Sequence, residues 1–317
     1  MSEKVKVLVI YRGLSKRDLR KIRSISEKIA VVEATEKPMV LEAARDAEVI
    51  FGHFDKETFL AAEKLKWIQV ASAGADNYLF PELVYSEVVL TTTSGIHRIQ
   101  ISEMILAMML AFAKRLDRFV PFKLEARWER LPTDELAGKT VGILGLGNIG
   151  METAWKAKCL GMRVLALDKM PLRAPTYVDK ILGLEDLDNL LRESDYLVVA
   201  VPLTKETHHM IGEEELRLMK PTAYIINIAR GAVIDNKALV KALKEGWIAG
   251  AGLDVFEEEP LPKDSEFWKL DSVIITPHIS GATPHYTDRA VRIFCENLKR
   301  YLDGKPLVNV VDKEMGY

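Results

Sequence analysis

A glycine pattern near the middle of the chain constrains its fold more than any other feature. Residues 140–150 read Thr-Val-Gly-Ile-Leu-Gly-Leu-Gly-Asn-Ile-Gly, so a G-x-G-x-x-G falls on Gly145, Gly147 and Gly150, after an apolar run and at the start of a helical pattern. That context calls for strand, tight turn and helix in succession. Gly145 permits the turn, Gly147 lets a diphosphate approach the backbone, and Gly150 lets the helix pack closely on the strand. The helix N-terminus then offers N–H groups and the positive end of its dipole to the phosphates. The next apolar run ends at Asp168, where a carboxylate can accept hydrogen bonds from an adenosine ribose and repel a 2′-phosphate. The pattern predicts a dinucleotide site with NAD favoured over NADP. Lys169 and Arg173, close behind, soften that preference.

The rest of the chain repeats the same grammar. Strand patterns at 5–11, 30–33, 49–52, 67–71 and 88–92 are interspersed with helix patterns at 15–28, 38–47 and 56–65. A long apolar helix over 99–116 leads into a second series, with strands at 140–144, 163–167, 196–201, 223–228, 249–253 and 273–276. A last helix, over 284–302, stops at Asp303-Gly304. Such alternation implies parallel sheets covered by helices on both faces, and 317 residues exceed what one core usually serves. The fold class is α/β, with two doubly wound parallel-sheet domains.

Composition excludes other classes. Apolar residues make up 48% and charged residues 28%, as in soluble globular proteins, and the net charge of −2 is spread over both signs. Neither nucleic acid nor an anionic membrane is an expected partner. The longest apolar stretch, 105–113, is too short to span a bilayer, and the opening MSEKVKVLVIY lacks the features of a signal peptide. The cytoplasm is therefore the expected compartment. Cys159 and Cys295 lie in helical patterns among apolar neighbours, so two buried free thiols are expected, with neither a disulfide nor a metal site.

Three strand ends carry ionisable groups, and ligands of doubly wound sheets bind outside such ends. One apolar run exits at Arg230-Gly231, where a guanidinium can hold a carboxylate bidentately or simply stand at the surface. Another ends at Asp254 and continues into Glu257, Glu258 and Glu259 before a proline; these are either a solvated loop or a source of one carboxylate that orients an imidazole. The third leads through Thr276-Pro277 to His278, which is either a catalytic imidazole or a structural or merely exposed one. Together they describe a reduction. Hydride reaches a carbonyl carbon, an imidazole delivers the proton to the carbonyl oxygen, a carboxylate fixes the imidazole, and a guanidinium stabilises and orients the substrate.

Taken as a set, Gly145-Leu-Gly-Asn-Ile-Gly150, Asp168, Val201-Pro-Leu-Thr with Thr207, Asn227-Ile-Ala-Arg230-Gly, Asp254-Val-Phe-x-x-Glu259-Pro and Thr276-Pro-His278-Ile-x-Gly281 closely resemble the D-isomer-specific 2-hydroxyacid dehydrogenase family over nearly the whole chain. The resemblance implies an NAD-dependent oxidoreductase that interconverts a small 2-oxo acid and its D-2-hydroxy acid. It makes His278 the proton donor, Glu259 its partner and Arg230 the substrate anchor. It gives Asp254 to the nicotinamide carboxamide and phosphate contacts to Asn148 and Ile149. Val201, Pro202, Thr207, Ile228, Ala229, Ser280 and Gly281 would line the cofactor groove, with Ser102 facing it.

The loop Ala73-Gly74-Ala75-Asp76-Asn77 resembles the family's substrate loop, with N–H groups of Gly74 and Ala75 on the carboxylate. The family fold places a Rossmann cofactor domain, 99–286, inside a flavodoxin-like substrate domain, 1–98 and 287–317. The two chain crossings would form a hinge that closes on substrate. Family members are usually homodimers through the cofactor domain, and the aromatic and basic segment 119–131 suits either that interface or an exposed loop. Loops near His53, Phe54, 73–77, His97 and Arg98 would shape substrate selectivity, with His97 and Arg98 expected at the surface. The chain stops at Tyr317, so a C-terminal regulatory domain is not expected. The same fold also serves dinucleotide-sensing corepressors, the alternative reading, and formate dehydrogenases, where a glutamine is expected in place of Glu259.

Overall fold

Strands form where apolar residues run continuously, because a parallel strand covered on both faces can expose neither side. The computed structural model describes residues 4–169, 175–314 and 316, so Arg173 lies outside the described residues. The chain divides into two units, Met1–His97 with Thr283–Tyr317, and Arg98–Ala282.

The first unit runs β1 (Val5–Ile10), α1 (Lys16–Arg23), β2 (Ile29–Glu33), α2 (Lys37–Ala44), β3 (Val49–Gly52), α3 (Lys56–Ala61), β4 (Trp67–Gln69), α4 (Pro81–Val84) and β5 (Val89–Thr91). The strands are parallel in the order β2-β1-β3-β4-β5, one of the two common doubly wound orders. Ser15 starts α1 with a reciprocal capping box: its Oγ accepts the Asp18 N–H at 3.2 Å and Asp18 Oδ2 accepts the Ser15 N–H at 3.1 Å. The helix ends at Arg23, short of the expected residue 28, because Ser24 turns its hydroxyl back onto Lys21 O.

The second unit runs α5 (Arg98–Ala113), α6 (Leu116–Leu124), β6 (Thr140–Leu144), α7 (Asn148–Cys159), β7 (Arg163–Leu167), β8 (Lys180–Leu182), α8 (Leu187–Glu193), β9 (Tyr196–Val199), α9 (Glu213–Leu218), β10 (Tyr224–Asn227), α10 (Asn236–Glu245), β11 (Gly250–Leu253) and β12 (Val273–Ile275). Its seven strands pair in parallel as β12-β11-β10-β9-β6-β7-β8. The order reverses between β6 and β9, which is the switch point where Rossmann sheets hold dinucleotides. All residues of β6 are buried. The expected single helix over 99–116 is two: Arg115 adopts a left-handed φ of 56°, and the chain restarts as α6. Strand β8 was not expected, because only one of its three residues, Leu182, is buried and the apolar signal is weak.

The final helix, α11 (Tyr286–Leu302), belongs to the first unit. Its Phe294 stacks on Phe51 at 4.2 Å and on Trp67 at 5.3 Å. The tail then covers β5, the edge of that sheet: the Thr92 N–H donates to Asn309 O at 3.1 Å and the Val311 N–H to Leu90 O at 2.9 Å. An edge paired in this way offers no template for another chain.

Both cysteines are free, but Cys159 is exposed. The buried face of α7 is Gly150, Thr153, Ala154 and Ala157, and Cys159 lies on the opposite face with exposed Trp155. Cys295 is half-buried, and burial pushes its thiol up to about 11.

Candidate active site

All seven strands of the second unit are parallel, so the residue that follows each one emerges on the same edge of the sheet. That edge collects the glycine turn, Asp168, Val201, Arg230, Asp254 and His278.

Each glycine of the turn meets a separate steric demand. Gly145 has a φ of +98°, and a Cβ there would come within 2.9 Å of the Ala200 carbonyl carbon. At Gly150 a Cβ would overlap Gly145 O, so only glycine lets α7 sit this close to the turn. Around Gly147, the N-cap of α7, a Cβ would meet nothing within 4 Å. Open space next to backbone at the first turn of a helix fits a diphosphate, with Asn148 and Ile149 supplying the first N–H groups. Asp168, half-buried at the end of β7, accepts the Leu146 N–H through Oδ2 at 2.7 Å. It thereby ties its strand end to the turn. The chain thus has the cradle that a nicotinamide dinucleotide requires.

Arg230 leaves β10 half-buried, with Nη1 donating to Ala229 O at 2.8 Å. Asn227, 1% exposed, shapes this exit: its Oδ1 accepts the Ala229 N–H and its Nδ2 donates to Arg230 O, both at 3.0 Å. The clue to Asn227 was a polar residue closing an apolar strand. Gly231 then lies so close to the 256–257 peptide that a Cβ would overlap the Phe256 carbonyl carbon. The loops bearing Arg230 and Glu259 are therefore in direct backbone contact.

The third strand exit holds an imidazole–carboxylate pair. His278 Nδ1 lies 2.7 Å from Glu259 Oε2, and Glu259 Oε1 accepts the Phe256 N–H at 2.9 Å. With Nδ1 donating to the carboxylate, Nε2 is the nitrogen left to exchange protons on the half-exposed side of the ring. The His278 backbone is left-handed, at φ 49°, a conformation a non-glycine residue keeps only when its surroundings enforce it. Asp254 does the enforcing. Its backbone oxygen accepts the His278 N–H at 2.8 Å, Oδ1 accepts Thr276 Oγ1 at 2.5 Å and the Ile279 N–H at 2.9 Å, and Oδ2 accepts the Ser280 N–H at 3.0 Å.

Asp254 is 0% exposed with both carboxylate oxygens turned into the 276–280 loop, so it scaffolds that loop. A buried carboxylate needs such donors, and the loop supplies them. Ser102 is also 0% exposed: its Oγ donates to Ile99 O and accepts from Lys156 Nζ, each at 2.8 Å, and so joins α5 to α7. Among the cofactor-groove candidates, Val201, Thr207 and Ala229 are half-buried and Pro202 is exposed, while Ile228 and Ser280 are buried. Thr207 Oγ1 donates to Pro202 O at 2.6 Å, and Gly281 O accepts Gln100 Nε2 at 3.1 Å.

In the first unit, Ala73, Gly74 and Ala75 follow β4 at the carboxyl edge of its sheet, with the Ala75 side chain buried. Ser72 Oγ donates to Gly74 O at 2.8 Å. On the same edge, Tyr78 OH lies 2.8 Å from His53 Nδ1 and the Tyr78 ring stacks on Phe54. His97 is half-buried against Tyr286, and burial together with the Arg289 charge lowers its pKa; Arg98 is exposed. Among the described residues, no helix is long and apolar enough to cross a membrane, and no His, Cys, Asp and Glu side chains group to hold a metal.

Residues 106–280 match the family model described as D-isomer specific 2-hydroxyacid dehydrogenase, NAD binding domain. The glyoxylate reductase of Korarchaeum cryptofilum is 39% identical over 294 residues, which cover 88% of this chain and 87% of that protein. A D-isomer specific 2-hydroxyacid dehydrogenase family protein of Aeromonas salmonicida has a crystal structure that superposes with a TM-score of 0.87 at 30% identity, covering 98% of this chain and 100% of that one. The NADPH-dependent glyoxylate/hydroxypyruvate reductase of Sinorhizobium meliloti, solved with NADP and sulfate, gives a TM-score of 0.85 at 25% identity, covering 99% and 100%.

Proposed function

The chain belongs to the D-isomer specific 2-hydroxyacid dehydrogenase family, and on that premise we propose that it reduces glyoxylate and closely related small 2-oxo acids with NADH. Its class is that of enzymes interconverting 2-oxo acids and D-2-hydroxy acids with a nicotinamide dinucleotide. The narrower substrate reading is supported by relatives named as glyoxylate reductases in archaea and by a glyoxylate/hydroxypyruvate reductase in a bacterium.

One observation carries the residue roles: the His278–Glu259 hydrogen bond on the edge that also bears the glycine cradle. Gly145, Gly147, Asn148, Ile149 and Asp168 would hold the dinucleotide, which when bound would supply hydride for the carbonyl carbon. His278, protonated, gives its Nε2 proton to the carbonyl oxygen as negative charge develops there. Glu259 accepts from Nδ1 throughout, so it orients the ring before transfer and fixes its tautomer afterwards. Arg230 offers a planar fork of donors that binds the substrate carboxylate and polarises the carbonyl beside it. Asp254 holds His278 in place without touching the substrate. Val201, Pro202, Thr207, Ile228 and Ala229, with Gly281, give the nicotinamide its walls, and the N–H groups of Gly74 and Ala75 serve a carboxylate.

Asp168 supports the choice of NADH. A carboxylate at the end of the second strand of the sheet suits ribose hydroxyls and repels a 2′-phosphate. The use of NADPH is the second reading, favoured by Lys169 beside Asp168 and by the relative solved with NADP. The two free cysteines suit a reducing, cytoplasmic compartment. We further propose a homodimer through α6 and the residues after it, where Val120, Leu124 and Trp128 are 61%, 84% and 98% exposed.

The test is a steady-state panel of glyoxylate, hydroxypyruvate and bulkier 2-oxo acids, with NADH and NADPH separately. The expected result is fastest turnover for glyoxylate or hydroxypyruvate with NADH. Absence of turnover with every acid and both cofactors would contradict the reading.

A further inference from the structure

Three glutamates precede Pro260, and only Glu259 meets His278. Glu257 faces another way. Its Oε1 accepts the N–H of Asn236, the first residue of α10, at 2.9 Å, and the same oxygen lies 3.3 Å from His209 Nε2. His209 is fixed from several sides. Its N–H donates to Ala232 O at 2.8 Å, Ile211 bridges to Ile234 two residues on, and the His208 ring stacks on its ring at 4.0 Å. Its backbone is left-handed, at φ 51°. Only four other described non-glycine residues share that conformation, one of them His278. Such strain persists where the surroundings over-determine it.

We propose that His209 and Glu257 are positioning residues that lock the loop carrying Glu259 onto the loop carrying Arg230. One carboxylate oxygen joins three strand exits: the segment after β9 through His209, the segment after β10 through Asn236, and the segment after β11 through Glu257 itself. Gly231 also touches the 256–257 peptide. Phe256 is the pivot. Its N–H holds Glu259 Oε1, its side chain is 7% exposed in the core, and its neighbour is Glu257.

The pair has little to offer as a stabilising surface contact, since both side chains are more than a third exposed and such pairs contribute little. Its value is in register. Reacting groups displaced by about 1 Å lose up to about 100-fold in rate. With the 257 carboxylate gone, the 254–260 loop keeps its core anchor at Phe256 and its backbone contact with Gly231 but loses its side-chain tie to Asn236 and His209.

The inference rests on the roles given above to Glu259, His278 and Arg230. It is tested with purified full-length Glu257→Ala, Glu257→Gln and His209→Gln, following kcat, KM for glyoxylate, NADH binding by fluorescence and thermal midpoint. Glu257→Ala is expected to lower kcat about tenfold, with NADH affinity and thermal midpoint close to wild type. Glu257→Gln keeps an acceptor for Asn236 and His209, and His209→Gln keeps a donor for Glu257, so both should recover most of the activity. Wild-type kcat in Glu257→Ala, a loss that tracks a fallen midpoint, or a Gln variant as slow as Ala would each overturn the proposal. Failure of the underlying chemistry would show separately, as undiminished turnover in His278→Ala.

Discussion

Acidic side chains on the carboxyl edge of the larger sheet have opposite environments, and those environments decide their work. Asp254 is sealed from solvent and holds the 276–280 loop; Asp168 is half-buried and keeps one oxygen on the Leu146 N–H. Asp168→Asn tests whether this carboxylate discriminates against a 2′-phosphate. An asparagine oxygen still accepts the Leu146 N–H, so the turn survives, while the negative charge that repels a 2′-phosphate is lost. The ratio of kcat/KM for NADPH to that for NADH should rise about tenfold, equivalent to about 1.4 kcal/mol, and an unchanged ratio would remove Asp168 from the discrimination. The sequence could not tell Asp254 from a surface acid, because charge at a strand end looks the same whether it meets water or a ring of N–H donors. It likewise could not separate Glu257 from Glu259 by spacing. The family resemblance chose Glu259, and the backbone supplies the physical difference: one turns to His278 and the other to His209 and Asn236.

Elements were legible in proportion to their burial. Strands β6 and β7 lie where the apolar runs put them, since their interiors are wholly enclosed. Strand β8, an edge with one buried residue, left no such signal, and α1 stopped at a local side-chain hydrogen bond that no periodicity announces. The helix pair α5 and α6 is the most instructive case. Apolar residues continue past Ala113, yet the chain turns at Arg115 and α6 then exposes Val120 and Leu124 on its outer surface, with Trp128 beyond. A helix that leaves such residues in water predicts a partner for them. Light scattering should give twice the chain mass at micromolar concentration. Replacing Leu124 and Trp128 together by Ser should shift the protein toward monomer, and a monomeric wild type would contradict the assignment.

At the scale of the whole molecule, alternating strand and helix patterns sufficed to read two doubly wound sheets, because parallel strands must be buried and so declare themselves. What the patterns could not convey is convergence. Gly145, Asp168, Arg230, Glu259 and His278 are spread over more than a hundred residues, and they share an edge only because every strand in the sheet points the same way. The reaction proposed here is a property of that edge, and proton delivery by His278 is its central step. The most direct measurement is therefore NADH oxidation by His278→Ala with glyoxylate, alongside NADH binding to the same variant. The expected result is a kcat lowered by about 100-fold or more with NADH affinity within about twofold of wild type, since the glycine cradle does not depend on the imidazole. Wild-type turnover in that variant would contradict proton delivery by His278.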